Sequence, residues 1–207
     1  MNLMIDIETL GIDPKAPVLS IGAVYFDKDG TYSEFYINLD VHHQIDSGLR
    51  KFDASTIKWW MGQEDAAKKV FKETAIPVEQ ALRQFVNFIE TEVGSKDTKP
   101  WGNGSNFDMT IMESLFEDYG LKAPWNFRAI RDFRTYKEHV YDGSKTVREG
   151  TYHNALDDAK YQAQVVIDGM NNKIIVNKTV LNKEIPPLPV RSSFAVFLAD
   201  FKAKLRR

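Results

Sequence analysis

The chain has no cysteine among its 207 residues, which excludes disulfides, thiolate zinc sites and thiol nucleophiles together. It has no long apolar run either, and its opening residues, Met1-Asn2-Leu3-Met4, lead straight into acids with no basic segment before them. No signal peptide or membrane span is therefore expected, and a cytoplasmic location is the default. Neither sign of charge is in surplus: 27 Lys and Arg against 29 Asp and Glu leave a formal charge of −2. A polyanionic partner would have to meet a local basic patch or bound cations, not the molecule as a whole. Internal repeats and low-complexity segments are also missing from the sequence.

What is present suffices for an ordinary core, with 43% hydrophobic and 12% aromatic residues. Leu3 to Ile7 reads as a buried strand with Leu3, Ile5 and Ile7 on one face and Met4, Asp6 and Glu8 on the other. Val18 to Phe26 and Tyr32 to Leu39 read as two more strands, joined by the turn Asp27-Lys28-Asp29-Gly30, so an antiparallel meander opens the domain. Asp53 is expected to cap a helix carrying Ile57, Trp59, Trp60 and Met61. Pro77 opens a longer helix with Val78, Ala81, Leu82, Phe85, Val86, Phe88 and Ile89 at helical spacing, ending near Val93-Gly94. Lys99 to Gly102 suits a short strand, Asn103 to Asn106 a loop, and Ile111 to Tyr119 a helix stopped by Gly120. Residues 124–150 have no clear pattern. Leu156, Ala159, Ala163, Val166, Ile167 and Met170 then mark an amphipathic helix. The order of elements predicts an α/β domain with a mixed sheet.

Acids in apolar surroundings, far apart in sequence, are costly unless they converge on a shared cation. Three short runs carry such acids. Asp6 and Glu8 leave one strand face roughly 6.6 Å apart along the chain and would repel unless cations lay between them. Asp108 follows a Gly/Asn-rich stretch. Asp158 lies in the last amphipathic helix, and His153 sits on its approach with Asn154 as a possible cap. Each acid has an ordinary alternative role: a wet strand end for Asp6 and Glu8, an N-cap for Asp108, a surface acid for Asp158. Asp157 competes with Asp158, and helix phase leans towards Asp158.

Taken together the runs are far more specific. Asp6-x-Glu8-Thr9, Phe107-Asp108 and His153-x-Ala155-x-x-Asp158 resemble, in order and spacing, the three motifs of the DEDDh 3′→5′ exonucleases of the ribonuclease H-like superfamily. The third motif selects Asp158 over Asp157. The likeness runs from the first strand to about Met170. Within that group Gly48-Leu49-Arg50, Asp53, Thr56 to Trp60, Gln63 and Trp101 to Ser105 resemble the phage DexA-like and ribonuclease T-like branch. One departure is Gly104, flanked by Asn103, where many relatives have Asn.

The resemblance implies a ribonuclease H-like domain over residues 1–175, while a change of composition marks residues 176–207 as a C-terminal extension. That extension would hold the Pro-rich strap Glu184 to Pro189 and an amphipathic helix through Phe194, Phe197, Leu198, Phe201 and Leu205. It further implies two divalent cations, Mg2+ or Mn2+, held by Asp6, Glu8, Asp108 and Asp158, with His153 as general base. Thr9 and Leu10 would line the 3′-terminal nucleotide and Asn103 would lie close by. Phe107, Trp59 and Trp60 are candidate stacking surfaces, with core packing as the competing use and at most one tryptophan facing the core. Arg131, Arg134, Lys137 and Arg148 are candidate phosphate contacts. The expected activity is 3′→5′ exonucleolytic release of nucleoside 5′-monophosphates from single-stranded DNA, with an exoribonuclease or a non-catalytic binding module as alternatives. The tail helix and the ribonuclease T likeness raise a homodimer as a further possibility.

Overall fold

The computed structural model describes residues 1–92 and 98–171. The expected helix end at Val93-Gly94, the boundary near residue 175 and the whole tail lie outside them. The chain opens with β1 (Asn2–Thr9), β2 (Val18–Asp27) and β3 (Gly30–Asn38), followed by α1 (Val41–Asp46), α2 (Ala54–Met61) and a 3-10 turn, Ala67–Phe71. Then come α3 (Val78–Glu92), β4 (Lys99–Gly102), α4 (Ser105–Asp118), a second 3-10 turn, Phe127–Ala129, β5 (Arg131–Asp132), α5 (Phe133–His139) and α6 (Ala155–Asn171). The sheet order is β3-β2-β1-β4-β5. The first three strands pair antiparallel, while β4 and β5 run parallel to β1. This mixed five-stranded sheet flanked by helices is the ribonuclease H-like arrangement anticipated from the sequence.

Alternation along β1 decides the layers. Leu3, Ile5 and Ile7 join one apolar cluster with Leu82 and Phe85 of α3 and Met112 and Leu115 of α4. Met4 faces the opposite way, into a cluster with Val24, Phe26, Trp101 and the α6 residues Ala159, Ala163 and Val166. Each fully buried side chain of this kind contributes about 1.5–3 kcal/mol, so α3 and α4 are held on one face of β1 and α6 on the other. A smaller cluster of Leu10, Leu19, Trp60, Ala67 and Val70 seats α2 beside the end of β1. Among the described residues no helix is long and apolar enough to cross a membrane.

Three local expectations change. Ser105 and Asn106 are helical, not loop, because Gly104 takes φ 94° at the start of α4 and Asp132 Oδ2 accepts the Ser105 N–H at 2.5 Å. Asp108 is therefore not an N-cap but stands in the first turn of α4. The last residue of the third predicted strand, Leu39, leaves β3 to form an isolated parallel bridge with Ile76. The unpatterned stretch 124–150 contains the two-residue β5 and α5, the latter capped by Asp132 through Thr135 N–H at 2.7 Å.

The position of α6 depends on Gly22, which pairs with Asp6 across β1 and β2. A Cβ at Gly22 would lie 2.2 Å from the Ala155 carbonyl carbon and 2.3 Å from Leu156 N. Backbone therefore rests on backbone here, and no side chain can yield. Gly22→Ala should destabilise by about 3 kcal/mol or more, a Tm loss of roughly 10 °C. Gly62→Ala, 3.4 Å from its nearest neighbour at φ −83°, should be nearly silent. Paired thermal melts of the two variants test this.

Candidate active site

Asp6 and Glu8 lie on the α6 side of β1, with Gly22 and Ser20 beside them on β2. Asp108 is carried by the first turn of α4. Its carboxylate lies so close to Gly102, the last residue of β4, that a Cβ there would sit 2.8 Å from Oδ2. Asp158 is in the first turn of α6. Asn154 caps that helix, its side chain accepting the N–H groups of Leu156 and Asp157 at 3.1 Å. His153 precedes the cap at φ 61°, the one non-glycine residue with positive φ among those described. Such a conformation costs on the order of 1–3 kcal/mol and persists where the surroundings over-determine it. Here the His153 N–H donates to Asp158 Oδ2 at 2.9 Å. Its ring meets Trp59 edge-on with centroids 4.8 Å apart. The sequence-predicted acids and histidine thus come together, and ligand atoms of Glu8, His153 and Asp158 lie within 4.8 Å of one another.

The electrostatics show what this proximity does. Burial, then repulsion from Asp108, Glu8 and Asp158, pushes the Asp6 carboxyl well above its usual range. Burial and the charges of Asp158 and Asp108 push Glu8 up to about 8. Burial likewise raises Asp108 to about 7, partly offset by the N–H groups of Asp108, Asn103 and Ile7 and by Arg134. Without cations, protons must take up part of this charge. The residues fit hard divalent ions: the donors are carboxylate oxygens and one imidazole, and the buried Asp108 Oδ2 has no hydrogen-bond partner.

Beside Glu8 opens a cavity of about 530 Å³, walled by Thr9, Ile12, Thr56, Trp59 and Phe107. Thr9 and Phe107 both line this cavity. Leu10 does not: it is buried against Trp60 and Leu19, and the β1–β2 connection instead presents Ile12 at the cavity, 76% accessible. Trp60 also turns inward, its Nε1 donating to the Thr9 carbonyl at 2.9 Å with only an edge reaching the cavity. Trp59 is the exposed partner of the pair. Asn103 is exposed, and the site uses its backbone: its carbonyl accepts from Arg134 Nη2 at 3.1 Å and its N–H favours the Asp108 carboxylate. Arg131 donates to the carbonyls of Arg128 and Ile130, and Lys137 is exposed.

Two residues gain roles that were not foreseen. Gln162 Nε2 donates to Asp6 Oδ1 at 2.7 Å. It lies one helical turn beyond Asp158, so the i, i+4 rule could have placed it on the same face. Arg148 pairs with Asp158 Oδ1, a contact that no local spacing announces.

Solved structures share the fold at low sequence identity. The nuclease domain of 3′hExo, a DEDDh family member bound to rAMP, is 15% identical with a TM-score of 0.56, covering 83% of this chain and 92% of that one. Pop2p of S. pombe in its Mg2+ and Mn2+ bound form is 12% identical with a TM-score of 0.55, covering 83% of each. Exonuclease X in complex with 5′ overhanging duplex DNA is 14% identical with a TM-score of 0.52, covering 84% and 93%. An exodeoxyribonuclease of Enterobacteria phage T4 is 26% identical over 129 residues, an alignment that spans 56% of each protein. The model of the Rv2179c-like 3′–5′ exoribonuclease domain matches residues 1–169, a span that contains all three acidic runs, and the chain belongs to that family.

Proposed function

We propose that the protein is a metal-dependent 3′→5′ exonuclease that trims single strands, DNA in the first instance, to nucleoside 5′-monophosphates. The observation that carries this is the meeting of Asp6, Glu8, Asp108 and Asp158 with His153 beside an aromatic-walled cavity. Asp6, Glu8, Asp108 and Asp158 would hold two divalent cations. When bound, these ions would lower the pKa of a water and stabilise the departing 3′ oxygen. His153 accepts the proton of that water as its oxygen attacks phosphorus. The P–O3′ bond breaks, the phosphate leaves on the released nucleotide, and the shortened strand keeps a 3′ hydroxyl. Asp158 Oδ2 fixes the backbone of His153 and the Trp59 ring packs against its imidazole. The cavity supports an unpaired 3′ end, because Trp59 and Phe107 offer ring surface that a base can meet only once unstacked from its complement. RNA is the second reading. The matching family is described by exoribonuclease activity, whereas the T4 relative is an exodeoxyribonuclease.

Two measurements test the reading. With 5′-labelled DNA and RNA of one sequence, a ladder shortening from the 3′ end should appear in Mg2+ or Mn2+ and vanish in EDTA. His153→Ala should lower kcat by about 10²–10⁴-fold, and Asp108→Asn should abolish the ladder. A metal-independent ladder, or none with either polymer, sinks the proposal. The second measurement follows from the raised carboxyls. Glu8 and Asp108 hold protons in the folded state that they release at ordinary pKa when unfolded, so the metal-free protein loses stability as pH rises from about 5 to about 8. In EDTA the Tm should fall over that window. Glu8→Gln should flatten the slope and raise Tm near pH 8 by about 3 °C or more.

A further inference from the structure

Arg148 grips the site through contacts that the mechanism above leaves unused. It pairs with Asp158 Oδ1, and the two side chains are only 15% and 16% exposed. Its guanidinium carbon lies 3.9 Å from the ring centroid of Tyr152 and 5.0 Å from that of Tyr161. Among the described residues this is the one ion pair made by any of the four acids. Asp158 Oδ2 is already taken by the His153 N–H, so both oxygens of this carboxylate are engaged.

Each oxygen keeps a free lone pair, so what opposes a divalent cation at Asp158 is the positive charge of Arg148, not the neutral His153 N–H. The His153 N–H is fixed in the backbone just before α6. Arg148 is tethered by a flexible stem, its buried Nε has no hydrogen-bond partner, and a guanidinium beside a divalent ion on one carboxylate meets like charge. Arg148 is the partner that yields. We propose that Arg148 is an internal cation that holds Asp158 until a divalent ion replaces it. Arg148 and His153 lie on one loop, five residues apart, and both bind Asp158, so metal loading and the placement of His153 are coupled. Arg148 is thus a positioning residue acting through Asp158. The inference rests on the metal-dependent reading given above.

Mn2+ titration calorimetry on the full chain tests it, with Arg148→Met keeping the apolar stem between the tyrosine rings while removing the charge. The variant should bind Mn2+ at least about threefold more tightly, the effect of releasing one partly screened ion pair. Its Tm in EDTA should fall while the Tm rise on adding Mn2+ grows. Arg148→Lys should restore near-wild-type affinity, and Arg148→Gln, a neutral donor to Oδ1, carries the same expectation as Arg148→Met should methionine prevent folding. Unchanged or weaker Mn2+ binding beside an intact wild-type titration overturns the inference and leaves the exonuclease reading standing. A lower Tm in EDTA without tighter Mn2+ binding marks a merely structural contact and also overturns it. A wild-type protein that takes up no Mn2+ overturns the metal-dependent reading, and this inference with it.

Discussion

The mutual repulsion of Asp6, Glu8, Asp108 and Asp158 is the constraint around which the domain is organised. Nothing among these acids brings them together, since burial pushes Asp6, Glu8 and Asp108 towards their neutral forms and the charges of neighbouring acids add to this at Asp6 and Glu8. The work is done by packing that is indifferent to charge. Leu3, Ile5 and Ile7 anchor β1 from below, Met112 and Leu115 fasten α4, and Ala159, Ala163 and Val166 draw α6 onto the sheet. At about 1.5–3 kcal/mol for each buried side chain, these contacts outweigh a repulsion that bound protons or cations reduce. Gly22 supplies the remaining condition, an approach of α6 to β2 that any Cβ would prevent.

A second tier of residues places the wall of the cavity beside Glu8. Arg50 is fully buried, its Nε 3.1 Å from Asp118 Oδ2, and it donates to the carbonyls of Ala16 at 2.6 Å and Pro14 at 3.3 Å. These bonds tie the β1–β2 connection, which presents Ile12 to the cavity, to the end of α4. Asp53 caps α2 through Thr56 N–H at 3.0 Å and so orients the helix that bears Trp59. Trp60 anchors the same helix to the Thr9 carbonyl. The wall of the cavity and the acidic cluster therefore share supports in β1 and α4.

Much of this was legible in advance because it is encoded by local period and composition. Alternation over Leu3 to Glu8 announced β1 and its two faces, and Asp53 announced the start of α2. The stripe from Val78 to Ile89 announced α3. The acidic runs stood out through their resemblance, in order and spacing, to the three DEDDh motifs, since each acid taken alone has an ordinary use. The stretch 124–150 was silent for a physical reason. Its β5 is two residues long, too short to show a period. Asp132 does its work partly at a distance, accepting the Ser105 N–H from 27 positions away as well as capping α5.

By itself, then, the sequence determined the α/β plan with a mixed sheet and singled out the four acids and the histidine that the fold brings together, because both are written in side-chain type and short-range spacing. Only the tertiary structure decided which of two apolar residues is exposed at the cavity: Trp59 and not Trp60, Ile12 and not Leu10. It alone paired Arg148 with Asp158 and set Asp108 one turn inside α4. Adjacent residues carry the same local signal. Which of them is buried, and which charge answers a carboxylate, depends on the packing of elements that are distant along the chain.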